Sequence, residues 1–345
     1  MLAIDRRALQ VAWTLFLFTL TLLIIYEIGR TLIIFAIAVI FAHLLAPIVN
    51  FVERQFPARV PRVASLLIVY VALLGVMGGL AIPLAQRVTE EAAALAKNLP
   101  NVIKSDPLAH LPIPGWLEPL RPDITSFVQQ RLSNIGQEVG PMLTTLGTKV
   151  VTGIGSAVGV VLIPILSFFF LKDGPLLRDA IVDSVDLRRR ELVDNIFSDI
   201  HFLLSQYIRA LVLLSLATFI FYSIFLAIIG VAFPILLAVV AAALEFIPAV
   251  GPLAAAVIIL IVAAVTGYGH LLILLLFFVI YRIFQDYVLN PYLMSAGVEL
   301  HPLLVLFGVL AGDELLGIPG MFFSVPAMAA LRLILIRLRR RTRAT

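Results

Sequence analysis

From Ala210 to Tyr281 the chain carries one charged side chain, Glu245, set between two charge-free runs, Ala210 to Leu244 and Phe246 to Tyr281. A bilayer core of about 30 Å is crossed by about 20 helical residues. Each run is therefore too long for one crossing and has to turn within itself. The breaks are expected at Gly230–Pro234, Pro248–Pro252 and Gly267–Gly269, because proline removes a backbone donor and glycine permits the turn. The rest of the chain agrees: 61% of its 345 residues are hydrophobic, 13% are charged, and its mean hydropathy is +1.08. Soluble domains carry about 25% charged residues. A soluble enzyme, a disordered scaffold and a nucleic-acid binder are excluded. An all-α polytopic membrane protein, with lipid as its surroundings, is what remains.

Further spans are read at Val11–Tyr26, Thr31–Val52, Val63–Gln86 and Val150–Leu171, giving about six full crossings plus two helical hairpins. No small-residue cleavage site follows the first, so it reads as a retained span. Basic residues gather at Arg6–Arg7, at Arg54, Arg59 and Arg62, from Lys172 to Arg190, and from Arg337 to Arg343. Placing all four clusters in the cytoplasm is self-consistent, with both termini inside. The segments are then 1–86 (membrane helices), 87–149 (an extracytoplasmic amphipathic segment), 150–172 (a membrane helix), 173–206 (a cytoplasmic connector) and 207–345 (a transport core). Apolar residues recur at helical spacing from Ile124 to Leu146, which reads as a helix packing on a neighbour or subunit. In the connector Leu192, Val193, Ile196, Phe197, Ile200 and Leu203 form a second such stripe, read as a helix lying against the bundle or lipid headgroups. There is no cysteine, and no two of the five histidines stand at the i, i+4 spacing of a helical metal site. No cofactor or resident metal is expected.

Two stretches near the C-terminus resemble each other. Gly230, Val231, Pro234, Glu245, Ile247, Pro248 and Gly251 are matched by Gly297, Val298, Pro302, Asp313, Ile318, Pro319 and Gly320. Short apolar arms interrupted by Pro and Gly at corresponding positions mark discontinuous helices at a transport site. The hairpins expected are 234–266 and 302–336, entering from opposite faces and bringing Glu245 and Asp313 toward the middle. Between residues 210 and 331 the charged side chains are Glu245, Arg282, Asp286, Glu299, Asp313 and Glu314. Carboxylates at bilayer depth face a cavity, a partner or a substrate. Arg282 and Asp286 are four apart and can pair on one helix face. Glu245 and Asp313 lack a neighbouring basic partner, which favours binding of a proton or Na+. Freed carbonyls beside Pro248 and Pro319 add ligands, and Gln285 and Asn290 add polar groups. The candidate binding set is thus Glu245, Pro248, Gly251, Asp313, Glu314 and Pro319, supported by Arg209, Arg282, Gln285, Asp286 and Asn290.

The stretches AHLLAPIVNFVER (42–54), FFFLKDG (168–174), SQYIRALVLLSL (205–216), EFIPAVGP (245–252) and DYVLNPYLMSAGVELHPLLVLFGVLAGDELLGIPGMFFSVP (286–326) resemble the autoinducer-2 exporter family of permeases over nearly the whole chain. The resemblance implies a multi-spanning transporter of the bacterial or archaeal cytoplasmic membrane, assembled as a homo-oligomer, a pentamer being the expected number. It implies export of a small autoinducer-2-like solute or, as an alternative, sodium/proton antiport. The chain departs from the family where Ala210 and Leu211 replace Gly-Gln, where Glu245 replaces an Asn, and where Asp313 and Glu314 replace Gly-Ala. Extra carboxylates suit a cation better than a neutral solute. A distant alternative, an intramembrane aspartyl protease built on Asp286 and Asp313, fits poorly. Tyr287 follows the first Asp rather than preceding it, and Leu310 stands where the second motif needs Gly. No phosphate-binding loop occurs, so a gradient supplies the energy.

Overall fold

The computed structural model describes residues 6–57, 60–104, 126, 157–293 and 300–342. Helices follow one another as α1 (Arg6–Glu27), α2 (Gly29–Gln55), α3 (Arg62–Val76), α4 (Ile82–Lys104), α5 (Ala157–Asp183), α6 (Leu187–Ile228), α7 (Pro234–Leu244), α8 (Val250–Val265), α9 (Leu271–Phe284), α10 (Asn290–Leu293), α11 (Pro302–Leu316) and α12 (Ile318–Thr342). Single wide turns at Met77–Ala81 and Gln285–Leu289 join α3 to α4 and α9 to α10 without a break. Among the described residues there is no strand. Five helices are long and apolar enough to cross a membrane: α2, the α3–α4 run, most of α6, the α9–α10 run and the apolar part of α12. The protein is a polytopic all-α membrane protein. Apart from Ser126, the amphipathic stretch Ile124–Leu146 lies outside the described residues, as does Glu299.

The two long charge-free runs break where proline and glycine demanded. The chain turns at residues 229–233, 245–249 and 266–270. The boundary drawn between residues 206 and 207 does not coincide with a structural one. It falls inside α6, a single helix of 42 residues. No Gly or Pro interrupts Leu187–Ile228, and a charged half and an apolar half are equally good helix formers, so nothing stops the helix at the change of polarity. The stripe from Leu192 to Leu203 is thus the lower part of a spanning helix rather than a separate surface helix. That lower part is tied to its neighbours by polar contacts. Arg178 of α5 pairs with Asp194, and Arg337 of α12 donates Nε–H to Asp199 at 2.7 Å. His43 of α2 meets His201 with ring nitrogens 3.0 Å apart. These contacts gather the basic clusters of α5, α6 and α12 at one end of the bundle.

Helices in lipid gain little from the hydrophobic effect and associate through close van der Waals packing, which small residues promote. The largest core follows that rule around the first hairpin. Ala238, Ala241, Ala255 and Ala263 of α7 and α8 pack with Leu226, Leu237, Ile259, Leu274 and Phe278. A second core joins α2, α3 and α5 through Leu45, Val49, Leu66, Val69 and Leu171.

The first hairpin is α7 and α8. Phe233 takes the left-handed conformation (φ 61°), and Pro234 opens α7 at a position needing no donor. The helix runs 11 residues, roughly 16 Å or half a bilayer. At its tip Gly251 lies so close to Leu244 that a Cβ would come within 1.8 Å of the carbonyl oxygen. The second hairpin is α11 and α12. Its first arm has 15 residues, roughly 22 Å, and turns at Gly317 (φ 64°). Gly312 and Gly320 bring the arms together, since a Cβ on Gly320 would stand 1.9 Å from the Gly312 carbonyl oxygen. Leu316 at this tip lies beside Gly29, the first residue of α2. The two hairpins touch through Phe246 and Phe322, whose ring centroids are 5.6 Å apart.

Candidate functional site

Glu245 follows the last residue of α7, at the point where the helix stops. Its residue exposure is 8%, and it bonds to α6 and to the turn after α9. Thr218 Oγ1–H donates to Oε2 at 3.2 Å, and Gln285 Nε2–H donates to Oε1. Thr218 has one hydroxyl proton, so Tyr281 O–H donates to Thr218 Oγ1 at 2.9 Å. All three partners are themselves buried. Both oxygens of an ionised carboxylate are thereby satisfied, yet every direct partner is neutral. A buried carboxylate without a bonded countercharge is the expensive arrangement. Thr218 fixes its depth: along α6 it stands ~12 Å from Ala210 and ~15 Å from Ile228, the ends of the charge-free stretch. Glu245 is level with the middle of the bundle.

Beside it is a cavity of about 280 Å³. It runs along one face of α6 through Leu214, Leu211, Tyr207, Gln206 and Leu203, toward the end where the basic clusters meet. Ile247 and Pro248 of the first hairpin, Val305, Val325 and Ala329 of the second, and Arg282, Gln285 and Asn290 complete it. The Tyr207 hydroxyl is buried and has no hydrogen-bond partner among the described residues. Arg282 also faces the cavity, but its Nε–H is held by Asp286 Oδ2 at 2.8 Å. Asn290 Nδ2–H in turn donates to Asp286 Oδ1 at 3.2 Å. Ser215 Oγ–H donates to the Ala242 carbonyl at 2.7 Å, binding α6 to the last turn of α7.

Of the residues singled out from sequence, Glu245, Pro248, Arg282, Gln285 and Asn290 share this cavity, Gly251 packs the hairpin tip behind it, and Asp286 holds Arg282. The structure does not bring Asp313, Glu314, Pro319 or Arg209 to it. Asp313 and Glu314 are exposed on the flank of α11, Pro319 lies in the first turn of α12, and Arg209 is exposed on another face of α6. Thr218, Tyr281, Gln206 and Tyr207 were not anticipated. A lone Thr in a charge-free run and a Tyr one turn before a Gln are signals that could have found Thr218 and Tyr281. Among the described residues no group of three or more potential metal-ligating side chains occurs.

A helical bundle that carries a bonded carboxylate at the tip of a half-membrane hairpin, beside a cavity reaching one end, has the build of a membrane transporter. Comparison with known proteins agrees. The family model described as AI-2E family transporter matches residues 15–340, and the chain belongs to that family. It is 26% identical over 359 residues to YueF of Bacillus subtilis (strain 168), covering 96% of this chain and 95% of that protein. It is 24% identical over 311 residues to YrrI of the same organism, covering 89% and 86%. A Methanothermobacter thermautotrophicus protein is 23% identical over 309 residues, covering 88% and 86%. All three are named as candidate transport proteins.

Proposed function

We propose that this protein is a gradient-driven secondary transporter of the cytoplasmic membrane in which Glu245 binds the coupling ion, H+ or Na+. The solute moved in exchange is small, a cation or a compact polar molecule, and the direction is outward. The observation that carries this reading is Glu245 itself: a buried carboxylate at mid-bundle, bonded only to neutral groups and open to a cavity. A proton or a sodium ion arriving there supplies the missing charge. Its binding needs one local change. The Gln285 amide, now donating N–H, rotates to present its carbonyl oxygen to the protonated carboxyl or to the ion. Thr218 and Tyr281 keep their bonds through hydroxyl rotation. Tyr207 offers a free hydroxyl and Asn290 and Gln206 offer amides along the path to the cavity mouth.

The cytoplasmic end is read as the one where the basic clusters meet, so both termini lie inside and the cavity faces inward. Assembly as a homo-oligomer is part of this reading; α1, exposed from Gln10 to Thr21 and from Leu23 to Ile25, supports it by leaving an apolar face open to a second copy. The protein reconstituted in liposomes, with internal pH and Na+ followed under an imposed gradient, tests the proposal. Glu245→Gln should bring flux down to that of empty liposomes while leaving the protein folded. Flux at the original rate with the same pH dependence in that variant would overturn it.

A further inference from the structure

Among the described residues the cavity runs from Glu245 toward the end where the basic clusters meet. Toward the other end the first hairpin is closed over by α4. Glu91 Oε2 accepts the backbone N–H of Leu236 at 2.7 Å, and the same carboxylate faces the N–H of Ile235. These are donors of the first turn of α7, which has no side-chain cap of its own. Around the bond Ala92, Leu95 and Leu236 are buried, with Val88, Phe233, Val240 and Val262 packed against them. Leu236 stands roughly 14 Å along α7 from Glu245. A solute moving from Glu245 toward that end has to part this seam.

We infer that Glu91 is the latch of an outer gate, holding the mouth of the first hairpin against α4, and that the structure is the form with this gate shut and the opposite side open. The inference rests on the transport reading above. The geometry is a side chain on one helix serving as the N-terminal cap of another, so one carboxylate, set in the apolar seam, helps anchor the hairpin mouth. Arg87 and Glu90 on α4 are the charged neighbours that act on Glu91. The Met77–Ala81 turn, α7 and α8, which pack against α4, carry no titratable side chain.

The test uses the full-length protein in liposomes, with Ala92→Cys as the sole thiol in a chain that has no cysteine. Labelling by a membrane-impermeant maleimide reports opening. Adding Glu91→Ala should speed labelling on the order of fivefold, the effect of losing a cap. Glu91→Gln, whose amide oxygen still accepts the N–H, should stay within about twofold of the parent. Equal labelling with Glu91 and with Ala at this position overturns the latch. Bridging Ala92→Cys to Leu236→Cys with a cleavable reagent should stop flux, and cleavage should restore it; undiminished flux in the bridged protein overturns the gate. A parent protein that shows the labelling responses but no ion or solute flux overturns the transport reading and leaves the latch standing.

Discussion

The two hairpins begin alike and end differently. Each opens with Pro at the start of its first arm, and each carries an acidic residue eleven positions later, Glu245 or Asp313. In the first, the helix stops at Leu244, so the acid sits at the tip, 8% exposed and bonded to Thr218 and Gln285. In the second, the helix runs on to Leu316, so the acid remains on the flank one turn short of the tip and faces outward. The tip itself reaches Leu316 and Gly29, at a position flanked in sequence by Glu27 and Arg30, where charged side chains sit at the bundle's end rather than its middle. The difference lies in the stop signal. Pro248 comes three residues after Glu245, and there the chain turns through Ala249, whose φ is positive; Ile-Pro alone is no stop, since Ile163–Pro164 lies within α5. Pro319 comes six residues after Asp313, with the break supplied by Gly317. Equal spacing from the helix start does not give equal depth; distance to the stop does.

The comparison is broken most directly by exchanging the acids' amides. Glu245→Gln should abolish coupled flux in liposomes, and the same variant transporting normally would mean the tip carboxylate is structural. Next in size is packing at the two tips. Gly251→Ala and Gly320→Ala each thrust a methyl group into a carbonyl oxygen of the opposite arm. Each should cost about 1–3 kcal/mol of stability, read as an earlier thermal unfolding in detergent. Gly78→Ala, which meets nothing within 4 Å, serves as the control. If only Gly251→Ala destabilises, the second hairpin is not held by its glycine contact. Of comparable size is Thr218→Val, which removes a donor from a buried carboxylate; a bond of that kind is worth about 1.5–3 kcal/mol. Flux should fall by about tenfold, and Thr218→Ser should recover it, because the hydroxyl and not the methyl matters. The smallest effect belongs to Asp313→Asn with Glu314→Gln. Exposed positions of this sort change stability by no more than about 0.5 kcal/mol, and flux should stay within about twofold of the parent. A large loss of flux there would show that the second hairpin carries function at its acids too.

Much of this fold is legible in the chain because lipid leaves few options. The breaks at residues 229–233, 245–249 and 266–270 follow from Pro and Gly in runs too long to cross once, and the isolated Glu245 announces the site. The Arg282–Asp286 pair follows from spacing on one helix. What stayed hidden depends on contacts between helices. Thr218 and Tyr207 come to the site through the rotation of α6 about its axis, which periodicity in a uniformly apolar segment cannot fix. Glu91 meets Leu236 across 145 positions of sequence. The continuity of α6 was obscured by a change in polarity that looks like a boundary to the eye but not to a helix.

That unbroken α6 has a mechanical consequence. Its lower half is pinned by Arg178 and Arg337 through Asp194 and Asp199, and its upper half supplies the hydroxyl that binds Glu245. Asp199 and Thr218 are about 30 Å apart along a helix with no Gly or Pro between them. A tilt of about 5° at the pinned end swings Thr218 by about 2.6 Å over that length, nearly the whole of its 3.2 Å reach to the carboxylate. The helix has the build of a crank: a small rearrangement among the charges at its foot would move the hydroxyl bonded to Glu245.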